Sequence, residues 1–363
     1  MSNIMGQTIT ITLFGESHGA SVGAVLDGLP AGEVIDWDQV RREMERRAPG
    51  RSALSTARAE ADAFEIQSGF FNGYTTGTPL CAIIKNSDHH SRDYDHLRHV
   101  MRPGHADYTG KVRYGGFQDF RGGGHFSGRL TAPVVFAGAI ASQLLSQRGV
   151  TVGAHILQIG SVQDQFFDPT GETEQRLRQL KEETLPVLEI EKAAAMEQYI
   201  LEAKGQLDSV GGVIECMAIG LPAGVGNPFF DSVESRLSHM MFSIPAVKGI
   251  EFGDGFALAG MRGSQANDSF YYDGPVVKTR TNHNGGINGG ITNGMPVVFR
   301  TVIKPTASIS RRQETIDTDT GENCILEIQG RHDPCIVQRA VPVIEAAAAW
   351  TLLDLILTTP QGR

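Results

Sequence analysis

The stretch TITITLFGESHG, residues 8–19, combines a strand pattern with a polar turn. Threonine and isoleucine alternate at its start, and alternating β-branched residues are typical of a β-strand with two different faces. Two glycines then bracket the sequence Glu-Ser-His, which lets the chain turn sharply directly after the strand. The stretch therefore predicts a strand that presents Ser17 and His18 at its end.

The rest of the chain alternates irregularly between strand patterns and helix patterns. Further strand patterns cover residues 23–32, 79–86, 151–162, 209–222, 295–305 and 324–330. Helix patterns cover residues 35–50, with Asp36 as the N-cap, 132–149, 172–206, with a break near Pro186, 228–245 and 340–357. This irregular order favours an α+β fold with mainly antiparallel sheets over a regular βαβ array.

The composition is that of an acidic globular protein. The chain has 363 residues, a formal net charge of -9 and 43 glycines. Such a charge disfavours binding to nucleic acid or to a membrane, so a polyanionic ligand needs a local cluster of cations. The 4 cysteines form no CxxC pair, which predicts reduced thiols. Because the first residues show no signal-peptide pattern, we expect a cytoplasmic protein.

Two histidines lie in glycine-containing turns and are candidates for proton transfer. They are His18 in GESHG and His105 in RPGHAD, residues 102–107. The ordinary pKa of histidine lies near neutrality, which suits a general acid or base. Arg102 in the second turn could hold a carboxylate or a phosphate. A plain polar surface turn is the alternative interpretation of both motifs.

The string RGGGHFSGR, residues 121–129, exposes backbone amides directly before the helix pattern of residues 132–149. Bare amides leading into a helix suit an anion, especially a phosphate. A dinucleotide fold would place such glycines after a hydrophobic strand, with an acid about 20 residues further on. No clear hydrophobic strand precedes this string, so an NAD-dependent dehydrogenase is disfavoured.

Three later segments add polar side chains and glycines. KPTASISRR, residues 304–312, follows a strand and offers a lysine and two hydroxyls, a common environment for phosphate. GRHDPC, residues 330–335, contributes Arg331 and Asp333. NHNGGINGGITNG, residues 282–294, has a flat backbone that could lie against a planar ring, although a mobile loop is the alternative. Together the segments favour an enzyme acting on a phosphorylated, multiply anionic small molecule.

A cluster of histidines invites a metal-site interpretation. It comprises His89, His90, His96 and His99. The cluster lacks the HExxH pattern and has no accompanying cysteine. A metallohydrolase is therefore the weaker alternative, and we expect no metal.

The motifs GESHG, RPGHAD, RGGG, PAVKGIEFGDGF, NHNGGINGG, KPTAS and GRHDPC occur in this order, and with them the chain resembles the chorismate synthases. The resemblance covers about residues 6–358. It implies a single β-α-β sandwich domain over residues 1–363, assembled as a homotetramer. It also implies a 1,4-anti elimination of phosphate from 5-enolpyruvylshikimate 3-phosphate, which yields chorismate and depends on reduced FMN.

The resemblance also implies roles for individual residues. His18 is expected to protonate the leaving phosphate, His105 to serve the reduced flavin near N1, and Asp333 to assist proton removal through flavin N5. Ser17 and Ser127 are expected to support these steps. The arginines expected to bind the substrate are Arg47, Arg129 and Arg331. The residues expected to contact FMN are His125, Phe126, Ser127, Pro245, Ala246, Gly289, Lys304, Pro305, Thr306, Ala307, Ser308 and Arg331.

One loop departs from the family pattern. The usual RGGGRSSARET reads RGGGHFSGRLT here. The replacing residues are His125, Phe126, Gly128 and Leu130. They reduce the positive charge beside the ligand or make it depend on pH, so a flavin-binding homologue without turnover is an alternative. Arginine is also less frequent around the first helix, where Arg46 and Arg51 are expected to compensate.

The source of electrons for the flavin is a separate question. The chain shows no added reductase domain, and the resemblance therefore implies an external flavin reductase as a partner. NADPH is required only if the enzyme reduces its own flavin.

Overall fold

The first predicted strand is present, and it lies in an antiparallel sheet. The computed structural model describes residues 3–50, 62–87, 98–328 and 333–359. Strand β2 (Thr10–Gly15) pairs with β1 (Ile4–Gly6) on one side and with β3 (Ser21–Asp27) on the other. The sheet continues from β3 through β7 (Leu80–Lys85) to β4 (Phe64–Ser68).

A second sheet of 5 strands is also antiparallel. Its strands, in spatial order, are β11 (Val247–Phe252), β16 (Val297–Ile303), β10 (Gly212–Ile219), β8 (Thr151–Ile159) and β9 (Val162–Gln163). Separate hairpins are formed by β5 (Phe70–Phe71) with β6 (Tyr74–Thr75), β12 (Phe270–Asp273) with β13 (Val276–Thr279), β14 (Ile287–Asn288) with β15 (Ile291–Thr292), and β17 (Gln313–Asp317) with β18 (Glu322–Leu326). The predicted antiparallel α+β fold is confirmed.

A layer of helices separates the two sheets and completes a β-α-β sandwich. The helices of the described residues are α1 (Trp37–Arg47), α2 (Asp107–Tyr114), α3 (Thr131–Ser146), α4 (Glu174–Leu180), α5 (Ile190–Gly205), α6 (Val233–Ser243), α7 (Gly263–Ala266) and α8 (Val337–Thr358). Helix α3 packs against β3 and α8, and α8 packs against β8 and β10. Close packing of α3 on α8 requires Gly138, because a Cβ there would lie 2.3 Å from the Cα of Ala346.

Helix α1 begins and ends where its sequence predicts. The side chain of Asp36 accepts hydrogen bonds from the backbone N–H groups of Asp38 and Gln39, at 2.9 and 3.0 Å. These bonds satisfy amides that have no partner within the helix. Val40 and Met44 on one face are buried in the core. The last turn carries Arg47 to the interior, where the chain turns at Pro49-Gly50.

The two most apolar helical segments are core elements. By length and composition, the segments Gly128–Ser146 and Val337–Thr358 could each cross a membrane. Their apolar windows are 89% and 83% buried, respectively, against the rest of the protein. Both belong to one cluster of buried hydrophobic residues that extends from Ile9 to Leu355.

Buried charges join elements that are distant in sequence. Asp354 in α8 accepts hydrogen bonds from the backbone N–H groups of Thr8 and Ile9, at 2.8 and 3.0 Å, and from Nη2 of Arg236 at 2.7 Å. The carboxylate therefore anchors the N-terminal hairpin to the helix layer. An acid in such an apolar helix is tolerated because its oxygens are fully hydrogen-bonded.

The glycine-rich segment of residues 282–294 is more ordered than the mobile loop that its composition suggests. It contains the hairpin of β14 and β15, and Gly289 and Gly290 at its tip have φ values of 62° and 83°. Two consecutive positive φ angles are the requirement of a tight two-residue hairpin turn. Turn geometry is therefore sufficient to explain these two glycines.

Candidate active site

Segments from distant parts of the chain enclose a cavity of about 1010 Å³. The predicted site residues that line it are His18, Arg47, His105, His125, Phe126, Ser127, Arg129, Pro245, Ala246, Lys304, Pro305, Thr306, Ala307, Ser308 and Asp333. Ser17 lies directly behind the wall and is fully buried. The polar turns, the most distant of which are more than 300 residues apart in the sequence, therefore meet at one place.

The backbone of the glycine string passes between the two histidines. A Cβ on Gly122 would lie 2.0 Å from Cε1 of His18, and a Cβ on Gly123 would lie 3.0 Å from Cε1 of His105. Both glycines have positive φ values, 58° and 82°. The string therefore needs glycine for two reasons, because the backbone is left-handed and because imidazole rings lie against it.

The GESHG turn is bonded to the same string. The backbone N–H of Ser17 donates to the carbonyl oxygen of Gly124 at 3.1 Å. The Oγ atom of Ser17 is buried and has no hydrogen-bond partner among the described residues. Since a buried hydroxyl normally has a partner, this atom is available to a ligand or water.

His18 is 5% exposed and lies near the carboxylate of Asp119. Burial alone would raise the pKa of Asp119, but hydrogen bonds from Arg121 and the charge on His18 lower it. The Arg121 side chain binds both oxygens of Asp119 at 2.8 Å. The loop before the glycines thus holds a negative charge close to His18.

His105 is held by an acid two residues further on. Its Nδ1 lies 2.7 Å from Oδ1 of Asp107, at the first residue of α2. Arg102 binds the same carboxylate through Nε and Nη2, both at 2.8 Å. Arg102 is therefore engaged with Asp107 and also lines the cavity, and its expected role as a direct ligand for a phosphate or carboxylate stays a prediction.

Arg47 and Arg129 share one buried carboxylate. The Nη1 atoms of both donate to Asp62, and all three residues are less than a tenth exposed. Burial would raise the pKa of Asp62, but the two arginines outweigh it and lower the pKa. The sequence interpretation missed Asp62, whose only signal is an acid close to a segment rich in arginine.

The other guanidinium nitrogens of this pair also bind protein groups. Arg47 donates from Nε to Oγ1 of Thr131 at 3.1 Å, and Arg129 donates from Nε to Oδ1 of Asn86 at 2.8 Å. Their Nη2 atoms donate to the backbone oxygens of Gly128 and Lys85, respectively. The two arginines thus build the wall of the cavity and fix the loop that follows the glycines.

Asp333 pairs with Arg339, an arginine that lies outside the sequence motifs. Nη1 of Arg339 donates to Oδ2 of Asp333 at 2.6 Å, and its Nε donates to the backbone oxygen of Arg47 at 3.2 Å. Burial is the largest influence on Arg339 and lowers the pKa of its guanidinium. The signal for this residue was an arginine in the first turn of α8, six positions after Asp333.

The segment of residues 304–308 forms another part of the wall. Lys304 donates from Nζ to the backbone oxygen of Gly104 at 2.7 Å, and burial together with nearby Lys248 lowers the pKa of Lys304. Oγ1 of Thr306 is buried and has no hydrogen-bond partner among the described residues. Neither lysine forms an ion pair with a described residue. This part of the cavity therefore offers two cations and a hydroxyl to an anion.

Two of the four residues that depart from the family loop, His125 and Phe126, have defined side-chain contacts. His125 lies with Nδ1 2.9 Å from the backbone oxygen of Gly15, and it thereby joins the glycine string to the end of β2. The ring of Phe126 packs on α2, where a Cβ at Gly110 would lie 2.8 Å from its Cε2. Tyr114 lies next to the same ring, with centroids 6.0 Å apart. Phe126 therefore fills a space that a glycine inside α2 leaves open.

The cavity concentrates positive charge on an acidic protein. Its lining includes Arg47, Arg102, Arg129, Arg339, Lys248 and Lys304, and Asp333 is its only acidic residue within the described parts of the chain. Asp62 and Asp107 lie behind the arginines and offset part of this charge. A cluster of cations in a cleft focuses the field on an anionic ligand.

Some expected residues do not lie at the cavity. Gly289 is absent from its described lining, because the β14–β15 hairpin packs elsewhere, with Gly290 against Ser232. Arg331 and Arg51 lie outside the described residues. Arg46 does not compensate for missing site arginines, because its Nη1 binds the carboxylates of Glu43 and Glu345 at 2.5 and 2.6 Å.

The metal interpretation has no support in the described parts of the chain. No group of three or more His, Cys, Asp or Glu side chains there is arranged to hold a metal ion. His89, His90 and His96 lie outside the described residues. His99 lies 3.9 Å from Asp317 and does not line the cavity.

Fold and site together define an α+β sandwich protein with a basic, histidine-containing cavity. The chorismate synthase family model matches residues 9–357. The chorismate synthase of Dehalococcoides mccartyi (strain ATCC BAA-2266 / KCTC 15142 / 195) is 46% identical over 98% of this chain and 97% of its own length. That of Korarchaeum cryptofilum is 43% identical over 99% of each chain.

A crystal structure of chorismate synthase superposes with a TM-score of 0.76 and 28% identity, covering 97% of this chain and 92% of the other. The chain belongs to the chorismate synthase family.

Proposed function

We propose that this protein is a lyase that eliminates phosphate from 5-enolpyruvylshikimate 3-phosphate to give chorismate, with reduced FMN bound. One observation carries the proposal. Gly122 and Gly123 lie against His18 and His105, and Asp333 lines the same cavity. Two imidazoles and a carboxylate around one cavity are the groups that a proton-coupled loss of phosphate needs.

The elimination breaks the C3–O bond and removes a proton from C6 of the substrate. His18 would deliver a proton to the departing phosphate, with Ser17 Oγ available beside it for a further hydrogen bond. Asp333 would take part in removing the proton from C6, and Arg339 orients its carboxylate. Arg339 binds Oδ2 of Asp333 at 2.6 Å, and Asp333 lines the cavity.

The residues present fit reduced FMN. The flavin would lend electron density to the carbon from which phosphate leaves. Ser308 and Thr306 offer hydroxyls, Lys304 and Lys248 offer cations, and the bare amides of the glycine string allow close approach of a flat ring. The unpartnered Oγ1 of Thr306 supports this assignment, since it lines the cavity and most buried hydroxyls have a hydrogen-bond partner.

The substrate carries a phosphate and two carboxylates, so the distribution of charge decides where it can bind. The guanidinium nitrogens of Arg47 and Arg129 already bind protein groups. The two arginines would therefore act on the substrate mainly through their positive charge and by fixing the wall of the cavity. Lys248 and Lys304 carry charges without a carboxylate partner among the described residues. We therefore place a phosphate, of FMN or of the substrate, beside these two lysines.

Several properties follow from family membership and complete the proposal. The protein would be a single domain, consistent with a main hydrophobic cluster whose members extend from Ile9 to Leu355, and a cytoplasmic homotetramer. An external flavin reductase would supply electrons, and NADPH would be used only if the enzyme reduced its own flavin. Neither nucleic acid nor a membrane is a proposed partner.

A flavin-binding homologue without turnover is not favoured. The relatives at 43% and 46% identity over nearly the whole chain are named chorismate synthase, and His18, His105 and Asp333 share the cavity. An anaerobic assay with chemically reduced FMN and 5-enolpyruvylshikimate 3-phosphate tests the proposal, with and without NADPH. We expect equal amounts of chorismate and phosphate without NADPH. Flavin retained on the protein with no chorismate formed would contradict it.

A further inference from the structure

Two groups of opposite character lie next to Nδ1 of His105. Oδ1 of Asp107 lies at 2.7 Å and Nη2 of Arg102 lies at 3.1 Å. A carboxylate only accepts hydrogen bonds, and a guanidinium only donates them. In a neutral imidazole, Nδ1 either carries the proton or holds the lone pair. The two neighbours therefore select opposite tautomers of His105.

The geometry gives Asp107 the advantage. Nη2 of Arg102 already donates to Oδ1 of Asp107 at 2.8 Å, a shorter contact than its 3.1 Å approach to the imidazole. Oδ2 of Asp107 accepts from the backbone N–H of Arg102 at 3.0 Å and from Nε at 2.8 Å. The Asp107 side chain is 8% exposed. Burial would raise its pKa, but the bonds from Arg102 and His105 outweigh burial and hold the pKa well below its ordinary value.

We propose that Asp107 is a positioning residue that keeps the proton of neutral His105 on Nδ1 and so presents Nε2 to the cavity. Nε2 is the nitrogen beside the glycine string, because a Cβ on Gly123 would lie 3.2 Å from it. The neutral ring then offers a lone pair there, and the protonated ring offers an N–H donor. The functional part of this inference depends on the proposed role of His105.

Arg102 extends the arrangement to the segment that is expected to hold FMN. Its Nη1 donates to Oγ of Ser308 at 3.2 Å. Asp107 therefore orients His105, Arg102 orients Asp107, and Ser308 fixes the far side of Arg102. This series of hydrogen bonds links the His105 ring to the segment of residues 304–308. Asp107 itself would not contact the ligand.

The isosteric variant Asp107→Asn tests the tautomer directly. In the variant, the amide oxygen would take the position of Oδ2, because it can still accept the two hydrogen bonds from Arg102. The amide NH₂ would then take the position of Oδ1 and face Nδ1 of His105. Both neighbours of Nδ1 would then be donors, and the proton would move to Nε2. Solid-state ¹⁵N NMR of histidine-labelled protein at alkaline pH shows directly which ring nitrogen carries the proton. The His105 signals are assigned by their loss in His105→Asn. We expect the unprotonated nitrogen to be Nε2 in the wild type and Nδ1 in Asp107→Asn.

Arg102→Met is the matched control, since it removes the donor and keeps the acceptor. We expect it to retain the wild-type tautomer, and thermal melting checks that both variants are folded. An unchanged tautomer in Asp107→Asn would overturn the inference. In the anaerobic assay, kcat of Asp107→Asn should fall on the order of a hundredfold, because a wrong histidine tautomer is costly in catalysis. A switched tautomer with full turnover would confirm the tautomer assignment and overturn the role of His105 in the proposed reaction.

Discussion

Gly122 packs directly on His18, so that a Cβ on the glycine would lie 2.0 Å from Cε1 and 2.1 Å from Nδ1 of the imidazole. The ring cannot rotate toward the string, and the string cannot carry a side chain. Gly123 stands in a similar but looser relation to His105. The string RGGG therefore acts as a spacer that sets the positions of both histidines.

Gly122→Ala should impair activity far more than stability. The methyl group would displace the ring of His18, and a shift of about 1 Å in a catalytic group can cost a hundredfold in rate. The left-handed backbone adds strain of about 1–3 kcal/mol. We expect kcat/KM to fall about a hundredfold in a protein that still melts cooperatively.

Gly205→Ala provides the control for this variant. Gly205 ends α5, away from the cavity, and no atom lies within 4 Å of its added Cβ. The activity of Gly205→Ala should equal that of the wild type. If Gly122→Ala also turned over at the wild-type rate, His18 would not need the position that the glycine gives it.

Asp62 and Arg129 should be energetically coupled. Removing either partner leaves the other as a buried charge that is not fully paired, which lowers the free energy of unfolding by up to about 3–5 kcal/mol. Arg129→Met should lower the free energy of unfolding and raise KM for the substrate or abolish turnover. In a double-mutant cycle with Asp62→Asn, the losses should be less than additive by about 0.5–3 kcal/mol.

An exposed ion pair gives the reference for that cycle. Lys278 and Asp273 are 43% and 57% exposed, so their coupling should be below about 1 kcal/mol. Additive losses for Asp62 and Arg129, as measured by urea unfolding, would show that the shared carboxylate does not hold the two arginines together.

A buried histidine outside the cavity should make stability depend on pH. His155 is fully buried, with Nε2 3.0 Å from Glu215 and Nδ1 3.3 Å from Asp164. Burial would lower the pKa of His155, but hydrogen bonds to the two carboxylates outweigh it and raise the pKa. The stabilisation is therefore complete below the unfolded-state pKa of about 6.5 and is lost as pH rises through the higher folded-state pKa.

Urea unfolding over this pH range should show the effect as a fall in the free energy of unfolding. His155→Gln should lose that part of the pH dependence, because a glutamine does not titrate. His99→Gln is the control, since His99 is 35% exposed and lies 3.9 Å from its nearest carboxylate. Equal slopes for wild type and His155→Gln would mean that His155 is not charged in the folded protein.

The sequence predicted the elements and the site motifs better than the partners of the charged residues. Strand β2, helix α1 and the break near Pro186 depend on local patterns of hydrophobicity and capping, which a sequence displays directly. His18, His105 and Asp333 lie in short motifs with unusual composition. Their convergence in one cavity could be inferred only from the family resemblance.

The ion pairs could not be predicted because they join residues that are distant in sequence. Asp62 meets Arg129 across 67 positions, and Arg46 meets Glu345 across 299. A motif search counts arginines as free cations, whereas the fold assigns a carboxylate to each arginine that lines the described cavity. The expectation that Arg46 compensates for lost site charge is wrong for this reason.

In the proposed reaction, His18, His105 and Asp333 act together on one anionic substrate. The most direct test is the rate of phosphate release, measured anaerobically with chemically reduced FMN, for the wild type and for His18→Ala, His105→Ala and Asp333→Ala. The wild type should release phosphate and chorismate in equal amounts. Each folded variant should be about 10² to 10⁴-fold slower, as loss of a general acid or base predicts. Wild-type rates in any of the three variants would contradict the account.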